Sequence, residues 1–463
     1  MSKNGQIRDI HDVRRAFEEH QIERVKVGGF DIDGVLRGKY IAADKLFSAA
    51  ENGFGFCDVI FGWDMADALY EGVGVKVTGW HSGYPDVLAK IDLSTYRPIP
   101  WEPGTAAFIA DFWTDPDTPH PACPRNLLKR IVAQAGDMGF LPKFGSEYEF
   151  FIFNETPRSL AEKDFRGIET LDPGMFGYSW LRTQSAAELM EAFLTDMEAF
   201  RIPLEGLHTE TGPGVFEVAI AYGEVLENAD QAALFKTAAK AVCAQFDLTP
   251  TFMAKCDPDL PGCSGHLHQS LWTDNGKTNA FVDLSSDDLM SPLMRSYIAG
   301  QIKALPDITS LVWPTINSYK RAVKGAWSPI NATWGAENRT CAVRAITGPT
   351  PKATRLEFRV PAADMNPYIS MAASLAAGLK GVAEGWTPPP AVKGNAYDAD
   401  PKHAPLLPTS LEGAIRVTRA SELATELVGD AFLDHYLRTR DWEHRVFDKA
   451  VTDWELRRYF EII

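Results

Sequence analysis

Four short segments of this chain interleave apolar residues with ionisable ones at the period of a β-strand, and that constrains the fold more than anything else in it. The first is Phe144-Gly145-Ser146-Glu147-Tyr148-Glu149-Phe150-Phe151-Ile152-Phe153. Successive strand side chains point to opposite faces, so Glu147 and Glu149 share one face. Tyr148, Phe150 and Ile152 point the other way, into a core. Two carboxylates this close repel unless a cation neutralises them. An isolated Glu-x-Glu pair is more often a solvated strand face, so the pattern needs company before it means chemistry.

The company is present. In Glu210 to Ile220, Gly212, Pro213 and Gly214 make a turn. Glu217 then projects opposite Phe216, Val218 and Ile220. In Gly262 to Ser270, His266 and His268 share a face with Leu267 behind them. Arg355, Glu357 and Arg359 do the same against Leu356, Phe358 and Val360. Each pattern alone has a plain explanation, such as an edge strand or a surface ion-pair ladder. Together they predict one sheet with an apolar face and a face bearing carboxylates, imidazoles and guanidinium groups. Carboxylates with a histidine suit Mg²⁺ or Mn²⁺. Arginines suit carboxylate and phosphate oxygens. That combination serves phosphoryl transfer from ATP, which is mostly charge neutralisation and positioning. No Walker loop or GxGxxG loop occurs, so a different architecture must hold the nucleotide.

At 463 residues the chain is long enough for two or three domains. Its net charge of -16 argues against nucleic acid and anionic membranes as partners. The stretch from Met1 to Glu18 is polar, so no signal peptide is expected there. Six scattered cysteines with no CxxC pair read as free thiols in a reducing compartment, hence a cytoplasmic protein. The most hydrophobic helical stretch, Tyr368 to Ala383, is too short to span a bilayer and reads as a buried helix capped by Asn366-Pro367. Arg24 to Ile41 reads as a β-hairpin turning on Asp33-Gly34. Residues 51–105 read as β-rich, with a boundary near Pro98 to Pro103. Pro124 should open a helix, Ser185 with Glu188 should form a capping box, and Asp230 to Phe246 should be helical. Trp386 to Pro408 should be an extended loop, and the tail from Leu411 onward helical.

The ordered segments FGSEYEFFIF, HTETGPGVFEV, CSGHLHQSL, NSYKR, ENRTCAVR and RLEFRVPAADMNPY resemble those of the glutamine synthetase superfamily, in particular its γ-glutamyl amine and polyamine ligases. The resemblance implies an α+β fold. A small β-grasp domain (20–115) would precede a large catalytic domain (120–463) with a curved antiparallel, barrel-like sheet and surrounding helices. It also implies homo-oligomeric rings, usually dodecamers, with active sites between neighbouring subunits. ATP and two or three Mg²⁺ or Mn²⁺ ions per active site are implied as well.

Carried over by motif, one metal site would use Glu149, Glu210 and Glu217, the other Glu147, His266 and Glu357. Arg321, Arg359 and Gly262 would bind glutamate. Arg339 and Arg344 would serve the phosphates, with Arg339 stabilising the phosphoryl group in flight. Glu205, His268, Ser270, Lys352 and Arg355 resemble nucleotide contacts. Glutamate would attack the γ-phosphate to give γ-glutamyl phosphate, and an amine would then displace phosphate.

The chain departs from the ammonium-using members where ammonium is handled. Their DGSS segment is absent, and Asp58 stands nearest in its place, one residue out of frame. Trp327 stands on the flap after NSYKR where the family has a glutamate. A tryptophan cannot take a proton, but it offers an apolar face and a cation–π surface to an alkylammonium. Pro261 replaces an asparagine and Val215 a glutamine. Tyr397 lies in a segment resembling the adenylylation loop of bacterial enzymes, in altered surroundings. Asp58, Asp64 and Glu337 are candidate bases. Phe54, Phe56, Phe61, Trp63 and Trp327 are candidate walls of an aromatic acceptor pocket. The pattern favours an organic amine as acceptor. An ammonium-using glutamine synthetase and a non-catalytic structural relative are the alternatives.

Overall fold

The structure, a computed structural model, describes residue 7, residues 9–348 and residues 350–463. Residues 1–6 and 8, part of the stretch considered for a signal peptide, therefore lie outside the described residues. The chain opens with α1 (Ile10–Glu19), β1 (Arg24–Phe30), β2 (Leu36–Ala42), α2 (Ala43–Asn52), β3 (Phe54–Cys57), β4 (Asp86–Pro98), β5 (Thr105–Asp115) and β6 (Thr118–Pro119). These strands form one sheet in the order β2-β1-β5-β4-β3, with β6 on β5. The 98–103 segment is thus a turn inside the sheet, since β5 beyond it lies between β1 and β4.

The hairpin between β1 and β2 is real, but its loop is longer than a two-residue Asp-Gly turn. Phe30 pairs with Leu36, leaving residues 31–35 as the loop. The Asp31 carboxylate organises it, accepting from the amides of Asp33 and Val35 at 3.0 and 2.9 Å and from Arg37 Nε at 2.8 Å. Asp33 is drawn out of the turn into a buried ion pair with Arg440.

A second set of elements follows: α3 (Pro124–Asp137), β7 (Leu141–Phe153), α4 (Pro157–Glu162), α5 (Trp180–Ser185), α6 (Ala187–Ala199), β8 (Leu204–Thr209), β9 (Val215–Glu224), α7 (Val225–Ala244), β10 (Thr249–Thr251), β11 (Leu267–Thr273) and β12 (Thr278–Asn279). Then come α8 (Pro292–Val312), α9 (Ser318–Arg321), β13 (Trp334–Ala336), β14 (Val343–Ile346), β15 (Arg355–Phe358) and α10 (Pro367–Ala383). The chain closes with α11 (Leu411–Ala420), α12 (Glu422–Val428), α13 (Asp430–Asp448) and α14 (Asp453–Tyr459).

The nine strands run β13-β14-β15-β11-β7-β9-β8, with β10 on β7 and β12 on β11. All pair antiparallel except β13 with β14. The fold is α+β, with this sheet curled into a half-barrel and flanked by helices.

The apolar face of the sheet is the core. Tyr148 and Phe150 of β7 are fully buried against Phe235 of α7 and Phe252. Each such ring contributes roughly 1.5–3 kcal/mol by leaving water. Pro124 opens α3, and the Asn366 side chain accepts from the Tyr368 amide to cap α10. Helix α10 packs against α8, α3 and α7. It approaches α8 so closely that a Cβ on Gly300 would lie 2.0 Å from the Ala377 carbonyl oxygen. The Ser185–Glu188 capping box does not form. Ser185 lies at the end of α5, its hydroxyl donates back to the Arg182 carbonyl at 2.8 Å, and α6 starts without a side-chain cap.

One buried guanidinium ties the two sheets together. Arg125 of α3 donates to Asp92 of β4, Asp111 of β5 and Asp230 of α7, each at 2.8 Å. Among the described residues no helix is long and apolar enough to cross a membrane.

Candidate active site

Strand register builds the charged face. Glu149 of β7 lies directly opposite Glu217 of β9, and His268 of β11 directly opposite Glu357 of β15. The stretch preceding β11 continues the pairing, because the Glu147 amide donates to the His266 carbonyl at 2.9 Å. Four strands thereby aim their ionisable side chains at one place.

The result is a dense alternation of charge. His268 Nε2 lies 2.8 Å from Glu147, while His266 Nδ1 lies 3.4 Å from Glu147 and 3.3 Å from Glu357. Arg344 donates to Glu357 at 3.1 Å, and Arg359 donates to its other oxygen. Burial disfavours the charge on Glu357, but His266, Arg359 and His268 outweigh it and bring its carboxyl down to about 2. Burial likewise opposes ionisation of Glu147, yet His268 and His266 hold it well below the usual carboxylate range. Glu217 goes the other way. Burial pushes its pKa up, His208 opposes that, and the charges of Glu147 and Glu149 add to the rise.

This donor set fits divalent cations. Glu147, His268 and Glu357 offer ligand atoms within 4.8 Å of one another. His266 is nearly as close, and its buried Nε2 has no hydrogen-bond partner among the described residues. Both histidines thus converge on Glu147, although the motifs assign His266 to metal and His268 to nucleotide. Glu149 and Glu217 face each other as like charges across a strand pair, a costly arrangement that a cation between them would relieve. Glu149 also accepts from the Ser264 amide at 2.6 Å, and the Glu210 carboxylate turns back onto the Thr211 amide.

Two residues of this corner escape a reading by motif. His208 of β8 pairs across to Glu217, with Nε2 3.3 Å from its carboxylate. Tyr178, largely exposed, stacks on the His208 ring with centroids 4.4 Å apart. Strand period places His208 with Glu210 on one face, which is a signal for the histidine. Tyr178 arrives from a distant loop and has no such signal.

Beside the cluster is a cavity of about 280 Å³ lined by Glu205, His268, Ser270, Lys352 and Arg355, all five of the expected nucleotide contacts. Glu147 also lines it, so it reaches the carboxylate cluster. Arg355 Nε donates to His268 Nδ1 at 3.0 Å. In the neutral imidazole this leaves the proton on Nε2, aimed at Glu147.

On the other side, Arg321 is buried, with one hydrogen bond, to the Val360 carbonyl at 3.1 Å, and no carboxylate within 4.0 Å among the described residues. Its side chain packs on Gly262, where a Cβ would come within 2.7 Å of Arg321 Cγ. Arg359 Nε holds the carbonyl of the exposed Arg339 at 3.1 Å. Trp327 is 65% exposed and sits at φ 59°, a left-handed conformation a bulky residue rarely adopts. The Tyr397 hydroxyl donates to the next carbonyl, Ser328, at 3.0 Å, and Lys324 pairs with Asp398.

The candidate bases differ in freedom. Asp64 accepts from Trp442 at 2.8 Å and Glu337 from Arg344 at 2.6 Å. Asp58 is buried in the N-terminal region, and its Oδ1 has no hydrogen-bond partner among the described residues. Burial raises its pKa, with Asp86 adding and Thr78 opposing. The expected aromatic acceptor pocket is not assembled within the subunit. Phe61 is fully buried and stacked on His120, Phe56 meets Phe112 edge-on, and Phe54 is also buried, so these rings serve the N-terminal core.

Comparison with known proteins agrees with this geometry. The glutamine synthetase catalytic-domain family matches residues 121–459. The "Type-1 glutamine synthetase 2" of Dictyostelium discoideum is 47% identical over 95% of this chain and 84% of its own length. The "Glutamate--isopropylamine ligase" of a Pseudomonas species is 36% identical over 98% of this chain and 99% of its own. The solved structure described as "Apo GmaS without ligand" superposes with a TM-score of 0.82 at 28% identity, covering 98% of this chain and 99% of that one. A curled sheet with this charged face, matched in sequence from α3 into the C-terminal helices, makes the chain a member of the glutamine synthetase family.

Proposed function

We propose that this chain is an ATP-dependent γ-glutamyl amine ligase. Glutamate and an organic amine become a γ-glutamylamide, with ATP going to ADP and phosphate through γ-glutamyl phosphate. The observation carrying this reading is the cluster of Glu147, His266, His268 and Glu357 with Arg344 and Arg359, together with a flap that bears Trp327 where the family has a proton-accepting glutamate.

Family membership implies ATP and divalent metals in general. Two or three Mg²⁺ or Mn²⁺ ions held by Glu147, Glu149, Glu210, Glu217, His266, His268 and Glu357 would screen the phosphates and polarise the transferring group. The chain's own residues do the rest. Glu205, Ser270, Lys352 and Arg355 line the nucleotide cavity. Arg321 and Arg359, beside Gly262, anchor the glutamate carboxylate by charge-assisted hydrogen bonds. Arg339 and Arg344 face the phosphoryl group, where fixed positive charge lowers the barrier.

The amine's proton needs an acceptor, and Asp58 of a neighbouring subunit is our choice. Burial raises its basicity, and its Oδ1 is unengaged. That assignment rests on a ring assembly, which we take to be a dodecamer. Six free cysteines are consistent with a cytoplasmic location.

The test is phosphate release with glutamate, ATP and Mg²⁺ across ammonium, primary alkylamines, a polyamine and an arylamine. Turnover with an organic amine and little with ammonium is expected. Efficient turnover with micromolar to millimolar ammonium would instead favour an ordinary glutamine synthetase. That second reading is supported by the 47% relative bearing that name.

A further inference from the structure

Three of the buried arginines have very different company. Arg125 has three carboxylates and Arg440 has Asp33. Arg97 of β4 is 5% exposed and has no carboxylate within 4.0 Å among the described residues. Its one hydrogen bond goes to the Thr95 carbonyl at 2.8 Å, and its buried Nε has no partner. Burial pulls its pKa down, with Asp230 and Tyr368 opposing. An uncompensated buried guanidinium is strongly unfavourable and rare in proteins. Arg321 likewise is buried with no carboxylate within 4.0 Å among the described residues, and on the reading above its missing partner is the glutamate carboxylate.

Arg97 also lines a cavity of about 330 Å³ between the N-terminal sheet and α7. That is about ten waters' worth of liquid volume at ~30 Å³ each. Its walls are largely apolar and include Ile99, Trp101, Phe108, Phe200, Leu234 and Ala238. The other cations are engaged. Lys26 pairs with Glu102, and Lys39 donates to the Gly55 carbonyl at 3.2 Å and lies over the Phe54 and Phe56 rings. Exposed Lys39 and Tyr40 mark the opening to solvent. None of these residues belongs to the charged face or the nucleotide cavity.

We propose that this cavity binds a small organic monocarboxylate with an apolar body, its carboxylate on Arg97 and its alkyl or arylalkyl part against Trp101, Phe108 and Phe200. Apolar cavities of this size take up apolar ligands readily. A single buried guanidinium selects one carboxylate through charge-assisted hydrogen bonds.

The test is calorimetric titration of the full chain with octanoate, 3-phenylpropionate, octanol and inorganic phosphate. One or both carboxylates should bind saturably, and octanol and phosphate at least tenfold more weakly. Arg97→Met removes the charge but keeps an apolar stem, so it should weaken carboxylate binding at least tenfold while leaving the melting temperature equal or higher. Ala241→Phe, which fills the cavity and keeps Arg97, should block binding too, and it carries the test if Arg97→Met folds poorly. Equal binding by wild type and both variants, octanol binding as well as octanoate, or no binding of either carboxylate would overturn the proposal.

Discussion

The charged face of the nine-stranded sheet and the flap around Trp327 lie on the same catalytic unit, yet they are built on opposite principles. On the sheet, ladder register sets each ionisable group, and carboxylates alternate with cations, so that Glu357 alone meets His266, Arg344 and Arg359. The flap holds Trp327 in a left-handed conformation, largely exposed, with Tyr397 on the adjoining carbonyl and one exposed ion pair from Lys324. Chemistry that tolerates no displacement is placed on strands. On the function proposed above, selectivity would sit on a loop that can change without disturbing them. Changes to the face should therefore abolish activation of glutamate with any acceptor, while changes to the flap should only redistribute acceptors.

Metal removal strikes the face hardest. Treatment with a chelator should reduce glutamate-dependent phosphate release at least ~10³-fold with every amine, and Mg²⁺ or Mn²⁺ should restore it. Glu357→Ala comes next. A ~10²–10³-fold loss for all acceptors is expected, with a lower melting temperature, because Arg344, Arg359 and His266 lose their shared carboxylate. An acceptor-dependent loss would break the division. Trp327→Glu should raise the ammonium-to-alkylamine rate ratio about tenfold, with melting changed by no more than ~0.5 kcal/mol, as for an exposed side chain. If that ratio stays put, selectivity lies elsewhere.

A stability effect sharpens the contrast from the opposite extreme, a buried histidine with no carboxylate within 4.0 Å among the described residues and only the neighbouring Asp434 opposing the loss of its proton. His435 of α13 is fully buried with both ring nitrogens unpartnered among the described residues, and burial, with His120 nearby, lowers its pKa to about 3. The unfolded chain, with a pKa near 6.5, binds the proton first. Stability from this group is therefore complete above about pH 6.5 and is lost as pH falls toward 3. Between pH 7.5 and 5 the loss is about 2 kcal/mol. His435→Phe should flatten that part of the denaturant-measured stability profile.

How far the sequence is legible depends on the range of the interaction. Strand period correctly separates Glu147 and Glu149 from Tyr148 and Phe150, because alternation is local. Pro124 and Asn366 mark helix starts for the same reason. The Asp33-Gly34 turn misleads, because Arg440, about four hundred positions away, recruits Asp33 and leaves Asp31 to organise a longer loop. Ser185 fails as a cap because it ends one helix before it can start the next. Phe54 and Phe61 prove to be buried in their own subunit, which nothing local foretells, because a core ring and a pocket ring look alike in sequence. Register is likewise invisible in a single chain, so the convergence of both His266 and His268 on Glu147 emerges only in three dimensions.

The guanidinium of Arg125 has a mechanical meaning as well. Its three carboxylates come from two strands of the N-terminal sheet and from α7, which backs the catalytic sheet. Removing one partner of a buried ion pair costs about 3–5 kcal/mol, so neither sheet can loosen alone without exposing that penalty. The two halves should melt as one cooperative unit, with calorimetric and van't Hoff enthalpies in agreement for the single chain. Arg125→Met should split that single heat-absorption peak in two. The hinge that a two-sheet chain would otherwise have is locked, and motion near the reacting groups is left to loops such as the flap.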